Sequence, residues 1–391
     1  MNESLYDVCV IGAGIEGSCA ARYSASRGKK TLLLEQFHLP HSHGSSHGTT
    51  RLVRYGYSNS IFSDLMPESY KMWEEVEKKA GKQLFKKVGL FSAEGPPFAE
   101  VSKLVLNVRN CGGICEVLSP EEIKKRFPKF SLPPDWNGTF EPEGGFILAN
   151  QALKAVQEQF VEFGGNLHDG EKVVKIEPGN IVTIHTSKGV YQAKNIIITA
   201  GPWVNEILKP LGVKLPVEIW RVNLSFWEPK DPKQFSIESG FPGFILYLED
   251  LDGLGHEHVY GFPVFEFPGL IKICHHGGVP VSGPQSRDDM RKDEKYIDKT
   301  SKCISKRFVG IDPNPKIVDT CMYTVTPDSS FVLDYHPSHS NIVIGAGFSG
   351  HGFKMAPLVG KILYQLALGE RPSYEMGPFK ISRFNVPKSS L

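Results

Sequence analysis

The chain has 391 residues, too many for one ordinary hydrophobic core, so two domains are expected, with one inserted into the other. Apolar residues make up 40% and charged residues 22%, the balance of a soluble globular protein and not of a disordered or membrane-spanning one. Lys and Arg total 44 against 43 for Asp and Glu, so no global field favours nucleic acid or an anionic membrane. Any anion site must be local.

No apolar run reaches the roughly 18 residues of a spanning helix, and the opening MNESLYDVCV lacks the basic-then-apolar pattern of a secretory signal. The expectation is a chain that starts inside the cell. Seven cysteines (Cys9, Cys19, Cys111, Cys115, Cys274, Cys303 and Cys321) fit a reduced compartment without a disulfide framework. Cys111 and Cys115 are too widely spaced for a CxxC pair and have no Cys/His partner pair for zinc, so they read as ordinary thiols. Asn137-Gly-Thr and Asn223-Leu-Ser match the glycosylation sequon, which has no consequence without a secretory route.

LYDVCVIGAGIEGSCAARYSASRGKKTLLLEQ predicts strand, glycine turn, helix and strand. Gly12 permits the tight turn, Gly14 lets backbone N–H groups approach a pyrophosphate at the helix N-terminus, and Gly17 lets the helix pack close to the strand. Glu35, ending the second strand, is placed to accept ribose hydroxyls. A dinucleotide follows. The motif leaves NAD and FAD open, while the acid at 35 argues against NADP, whose 2′-phosphate would meet a carboxylate.

HLPHSHGSSHGTTRLVR gathers His38, His41, His43 and His47. A Gly- and Ser-rich loop has no fixed ligand geometry, and no carboxylate or thiol accompanies these rings, so no metal site is expected. Arg51 and Arg54 close the loop. Their guanidiniums either share a cavity, where they would hold a carboxylate or an anionic ring, or stand solvated as a pair.

NQALKAVQEQFVEFGG predicts an amphipathic helix with Leu153, Val156, Phe160 and Val161 on its apolar face, Asn150 as cap and Gly164 as stop. EKVVKIEP and NIVTIHTSKG read as short strands, and AKNIIITAGPWV as an apolar strand returning to the nucleotide domain. From about Val217 to Asp319, aromatic residues, Pro, Gly and alternating segments predict an antiparallel sheet, assigned to a substrate domain. VDTCMYTVTPD then places Cys321 alone among strand formers, where a lone thiol is ordinarily an inert buried side chain. NIVIGAGFSGHGFKMAP repeats strand, glycine turn and helix, with Pro357 near the helix start. Its glycines Gly345, Gly347 and Gly350 are expected to face a second part of the ligand. The chain ends in Ser389-Ser390-Leu391, close to the Ser-Lys-Leu peroxisomal address, with Ser390 where a basic residue is usual.

In their order VIGAGIEGSCAA, GSSHGTTRLVR, GLIKICHHGG, CMYTVTPDSSF and GAGFSGHGFKMAP, these segments make the chain resemble the monomeric sarcosine oxidase family of flavoenzymes, and within it the peroxisomal sarcosine and L-pipecolate oxidases. The resemblance covers nearly the whole length. It implies an α/β fold in which a Rossmann-like FAD-binding domain (residues 1–85, 150–216 and 320–391) is interleaved with an antiparallel α+β substrate domain (86–149 and 217–319). FAD would be carried covalently on Cys321 through a thioether at the 8α-methyl, a bond for which an accessible thiol is expected. Lys272 would stand near flavin N5 and promote reaction with oxygen, Arg51 would pack against the flavin, and Arg54 and Lys354 would bind the substrate carboxylate. His276, Tyr260 and Tyr323 match other active-site positions.

The implied reaction passes hydride from a secondary amino acid (sarcosine, L-pipecolate, L-proline) to FAD and electrons on to oxygen, giving hydrogen peroxide. The resemblance also implies a monomer in the peroxisome, with the import receptor as a partner and neither nucleic acid nor membrane. Besides a flavin dehydrogenase that would pass electrons to a carrier protein, which an oxygen-activating Lys272 argues against, two rival readings stand. One is a primary amino-acid oxidase of the glycine or D-amino-acid type with non-covalent FAD, which would lack the cysteine tether. The other is an NAD-binding dehydrogenase or silent dinucleotide scaffold, which the first glycine motif alone permits.

Overall fold

A computed structural model of the chain describes residues 5–248, 258–288 and 294–385. The apolar strand Tyr6–Ile11 lies at the middle of an eight-stranded sheet, paired in parallel with Thr31–Leu34 on one side and Val190–Ile198 on the other. Asn166–His168 and His339–Ala346 extend the parallel set, while Val173–Glu177, Val182–Thr186 and Val332–His336 add antiparallel edges. Side chains alternate across the central strand. Val8 and Val10 enter a core built with the helices Ile15–Ser26, Ser60–Ala80, Ala149–Glu162 and Ala356–Ala367, whereas Cys9 and Ile11 enter a second core on the opposite face. Burial on both faces explains why this strand reads as a continuous apolar run.

The helix expected from Asn150 to Gly164 is Ala149–Glu162, and its cap is Leu148, not Asn150. The N–H groups of Ala149 and Asn150 donate to the carbonyls of Thr49 and Gly48, so the loop supplies what a capping side chain would have. Val156 and Phe160 are fully buried, but Val161 is 51% exposed and stands off the apolar face. Gly164 has φ +83° and ends the helix as expected. Pro357 lies in the first turn of Ala356–Ala367.

A nine-stranded sheet forms the second layer, antiparallel except where Gly243–Tyr247 pairs in parallel with Leu90–Glu94. Its long strands Glu218–Pro229 and Ile311–Val325 pair from Glu218–Val325 to Pro229–Ile311. The expected domain limit at 319/320 falls inside Ile311–Val325. Along Leu270–His275, Ile271 and Ile273 pack into an aromatic core closed by the helix Glu294–Arg307, while Cys274 turns to the opposite face with Val222, Leu224, Phe226 and Cys321. The same period of two puts Lys272 on the face of Cys274. A small sheet of Thr50–Val53, Phe85–Lys87 and Gly145–Leu148 carries Arg51. Among the described residues no helix is long and apolar enough to cross a membrane.

Candidate active site

A cavity of about 1440 Å³ runs from Glu35 past the first glycine turn to Tyr323 and Gly350. It exceeds the roughly 300–1,000 Å³ of a drug-sized ligand site and suits an extended dinucleotide. Its floor is kept bare by glycine. Gly12 has φ +101°, and a Cβ there would fall 2.6 Å from the Thr199 carbonyl oxygen. At Gly17 a Cβ would fall 2.0 Å from the Gly12 carbonyl oxygen, so this glycine serves helix packing. Gly14 opens to the cavity beside Ser46, whose hydroxyl accepts the Ile15 N–H at 3.0 Å. Glu35 accepts the Ala13 N–H at 2.9 Å and the Phe37 N–H at 3.0 Å, so it also pins the turn it was expected to serve from a distance. The residues present fit FAD: a bare turn at a helix N-terminus, an acid at the end of the second strand and a long cavity beyond them.

The second turn divides its glycines. Gly350 lines the cavity with φ +78°, and a Cβ would fall 2.6 Å from the Tyr323 ring and 2.9 Å from the His276 ring. Gly345 packs against Leu363 and Thr199, and Gly347 against Thr326, so these two shape the turn from behind.

Cys321 is 2% exposed, more enclosed than the accessible thiol expected. Its sulfur is 3.7 Å from the Ser45 carbonyl oxygen and 3.9 Å from Arg51 Nη2, and both Ser45 and Arg51 line the cavity. The enclosure comes from the histidine-rich loop folding over the strand. Arg51 donates to the carbonyls of Thr50, Ser45 and His47, which holds that loop closed. Arg51 and Arg54 are therefore not a solvated pair. His41 and His43 pack on Phe37, and His47 lies 2.7 Å from the Gly44 carbonyl oxygen. Among the described residues no group of three or more His, Cys, Asp or Glu is placed to hold a metal ion.

Arg54 and Lys354 meet over one ring. The Arg54 guanidinium lies 4.6 Å and the Lys354 ammonium 5.5 Å from the centroid of Tyr57. Tyr247 accepts a hydrogen bond from Arg54 at 3.0 Å, and Lys354 donates to the His351 carbonyl at 3.3 Å. Burial, then Arg54 and Arg51, push the Lys354 pKa well below its ordinary value. Neither cation has a carboxylate within ion-pair distance among the described residues. The buried Glu141 accepts the N–H groups of Tyr55 and Gly56, just after Arg54; burial raises its pKa and Arg54 opposes that rise.

His276 stands between His258, stacked on it at 4.4 Å, and Tyr323 at 5.4 Å, with Tyr260 edge-on at 6.3 Å. Burial, Lys354 and Arg54 push His276 down to about 3, so its ring is neutral at physiological pH. Burial raises the pKa of Tyr260 and Tyr323, which keeps both phenols protonated.

Lys272 is buried, its ammonium 2.8 Å from Glu266 Oε1 and 3.4 Å from the Thr50 hydroxyl, with Phe226 and Phe262 rings flanking it. The Thr50 hydroxyl donates to the same carboxylate oxygen. Sequence reasoning missed Glu266, Tyr57, Tyr247 and His258. Only Glu266 had a local signal, an acid between two exposed aromatics (Phe265 and Phe267) on an alternating strand. Glu266→Gln is expected to cost about 3–5 kcal/mol, because it strands a buried ammonium. Denaturant unfolding of Lys272→Met, Glu266→Gln and the double variant checks this: the double should cost less than the two singles together, and strict additivity would show that the pair is not coupled.

A family model described as FAD dependent oxidoreductase matches residues 7–366. The chain is 43% identical over 384 residues to a peroxisomal sarcosine oxidase of Homo sapiens, covering 98% of this chain and 97% of that protein. It is 32% identical over 383 residues to a monomeric sarcosine oxidase of Bacillus sp. (strain B-0618), covering 97% and 96%. Among solved structures, NikD, described as an unusual amino acid oxidase essential for nikkomycin biosynthesis, has a TM-score of 0.81 at 24% identity over 96% of this chain and 97% of its own. That likeness shows the fold. With a dinucleotide cavity of this build and relatives matching end to end, the chain belongs to the sarcosine oxidase family of FAD dependent oxidoreductases.

Proposed function

We propose that this chain oxidises secondary amino acids of the sarcosine and L-pipecolate type, L-proline among them, with FAD held covalently by Cys321 and oxygen reduced to hydrogen peroxide. The observation that carries an acidic substrate end is the pair Arg54 and Lys354 over one tyrosine ring with no carboxylate in ion-pair reach among the described residues; a bound carboxylate offsets the burial and like charge that push the Lys354 pKa down and holds it as an ammonium. A substrate carboxylate completes them through charge-assisted hydrogen bonds. Bound FAD supplies the hydride acceptor and the route for electrons to oxygen. Held by its acid end, the amino acid has its amine beside two cations and the neutral His276 ring. Those cations disfavour an ammonium, so the amine reaches its bound position as the free base, with a lone pair to support hydride loss.

Lys272, fixed by Glu266 and Thr50, offers a positioned positive charge for oxygen reduction. Arg51 beside the Cys321 sulfur gives the setting in which thiols act as nucleophiles and supports the tether. Two interleaved domains, with the last limit moved from 319/320 to the end of Ile311–Val325, a monomeric state and peroxisomal import through Ser389-Ser390-Leu391 complete the proposal. That tripeptide lies outside the described residues; the human relative, a peroxisomal sarcosine oxidase by name, supports the location.

The test is a visible spectrum before and after acid precipitation, with the pellet redissolved in denaturant. Yellow colour should stay with the polypeptide and be lost from it in Cys321→Ala. Colour left in the supernatant of the unaltered protein would remove Cys321 as tether and favour a non-covalent oxidase.

A further inference from the structure

Glu16 is a buried acid in the wall of the cofactor cavity for which the reaction has no use. It is the second residue of the helix Ile15–Ser26, between Gly14 and Gly17, and only 7% exposed. Its side chain lines the cavity, and its Oε2 is buried with no hydrogen-bond partner. On the far side, a Cβ added to Gly352 would fall 2.6 Å from Glu16 Oε1. The carboxyl therefore lies between the first glycine turn and Gly352, just past the second.

A helix N-terminus favours negative charge, and here a pyrophosphate is the anion expected to receive that benefit. A carboxylate in the same enclosed space would face a group of its own sign, with little water to screen it. A carboxylic acid has instead one O–H to donate, and phosphate oxygens only accept.

Charged groups on the surrounding elements are directed elsewhere. Arg51 is taken by the carbonyls of Thr50, Ser45 and His47, Lys354 by the His351 carbonyl and the Tyr57 ring, and Glu35 by the Ala13 and Phe37 N–H groups. Arg22, on the same helix, donates to Gln159. The nearby rings of His47 and His351 have pKa values lowered chiefly by burial, and burial pushes the Cys19 thiol well up, so these groups are uncharged at neutral pH. With no cationic side chain directed at it, burial outweighs the helix N-terminus and raises the Glu16 pKa to about 8.

We propose that Glu16 is a cofactor-binding residue that works in its protonated form, donating a hydrogen bond to a phosphate oxygen of the bound FAD. The inference rests on the reading of the cavity as the FAD site. Its consequence is binding that weakens in alkali, because ionisation removes the donor and adds a repelling charge.

Two measurements test it. Full-length Cys321→Ala protein freed of flavin, in which FAD can exchange, is titrated with FAD by flavin fluorescence across pH. The dissociation constant should rise on the order of tenfold from about pH 7 to about pH 9, and adding Glu16→Gln, a neutral donor of the same shape, should abolish the rise while keeping the affinity at pH 7. A rise that persists with glutamine would overturn the inference, and absence of FAD binding at every pH would overturn the cavity reading beneath it. In the unaltered holoenzyme at neutral pH, the infrared spectrum should show a carboxylic-acid C=O band that Glu16→Gln removes. Identical spectra in that region would overturn the inference independently of any exchange of flavin.

Discussion

Replacing Lys272 with methionine is expected to slow reaction of the reduced enzyme with oxygen by roughly 10²–10³-fold, the usual cost of removing one preorganised charge from a dry site. Anaerobic reduction by substrate should stay within a few-fold. The lysine is 2% exposed, and its chain lies between Phe226 and Phe262, where an unbranched thioether fits. The change therefore removes charge more than volume. Rapid mixing, with the two half-reactions followed separately, checks it, and equal slowing of both would assign Lys272 to general architecture. Because Glu266 is left without its partner, the double variant Lys272→Met/Glu266→Gln is the control. It should recover stability without recovering the oxygen reaction.

Arg54→Lys should raise KM for a secondary amino acid by roughly 10- to 150-fold, the equivalent of one charge-assisted hydrogen bond of about 1.5–3 kcal/mol. An ammonium keeps the charge but cannot hold Tyr247 and a carboxylate at once in the planar fork geometry. Steady-state kinetics over a substrate range decides it. An unchanged KM would exclude Arg54 from the carboxylate site and leave Lys354 alone there.

What was legible in the sequence was local. The alternation of Leu270–His275 places Lys272 and Cys274 on one face without knowledge of any partner, and the glycine turns announce themselves by strand before and helix after. Residues brought in from a distance were not legible. Tyr247 reaches Arg54 only through the pairing of Gly243–Tyr247 with Leu90–Glu94 and His258–Phe267, and no periodicity encodes that register. Glycines of one motif also separate only in space, Gly350 against the Tyr323 ring and Gly345 behind the turn against Leu363. Asn150 failed as a cap because Gly48 and Thr49, a hundred residues earlier in rough count, already supply the acceptors.

The parallel core of the nucleotide sheet joins strands far apart in the chain, and this bears on how the protein is made. Ile198 pairs with Ile344, and at about 5–20 residues per second the roughly 150 residues between them take about 7–30 s to leave the ribosome. Until then the Ile196–Ile198 end of that strand has an open edge, a template for pairing with another nascent chain, while its first half is covered by Val182–Thr186. The Gly350 wall of the cavity emerges only after that strand. Changes that weaken His339–Ala346 should therefore show first as aggregation during synthesis and not as an inactive soluble enzyme.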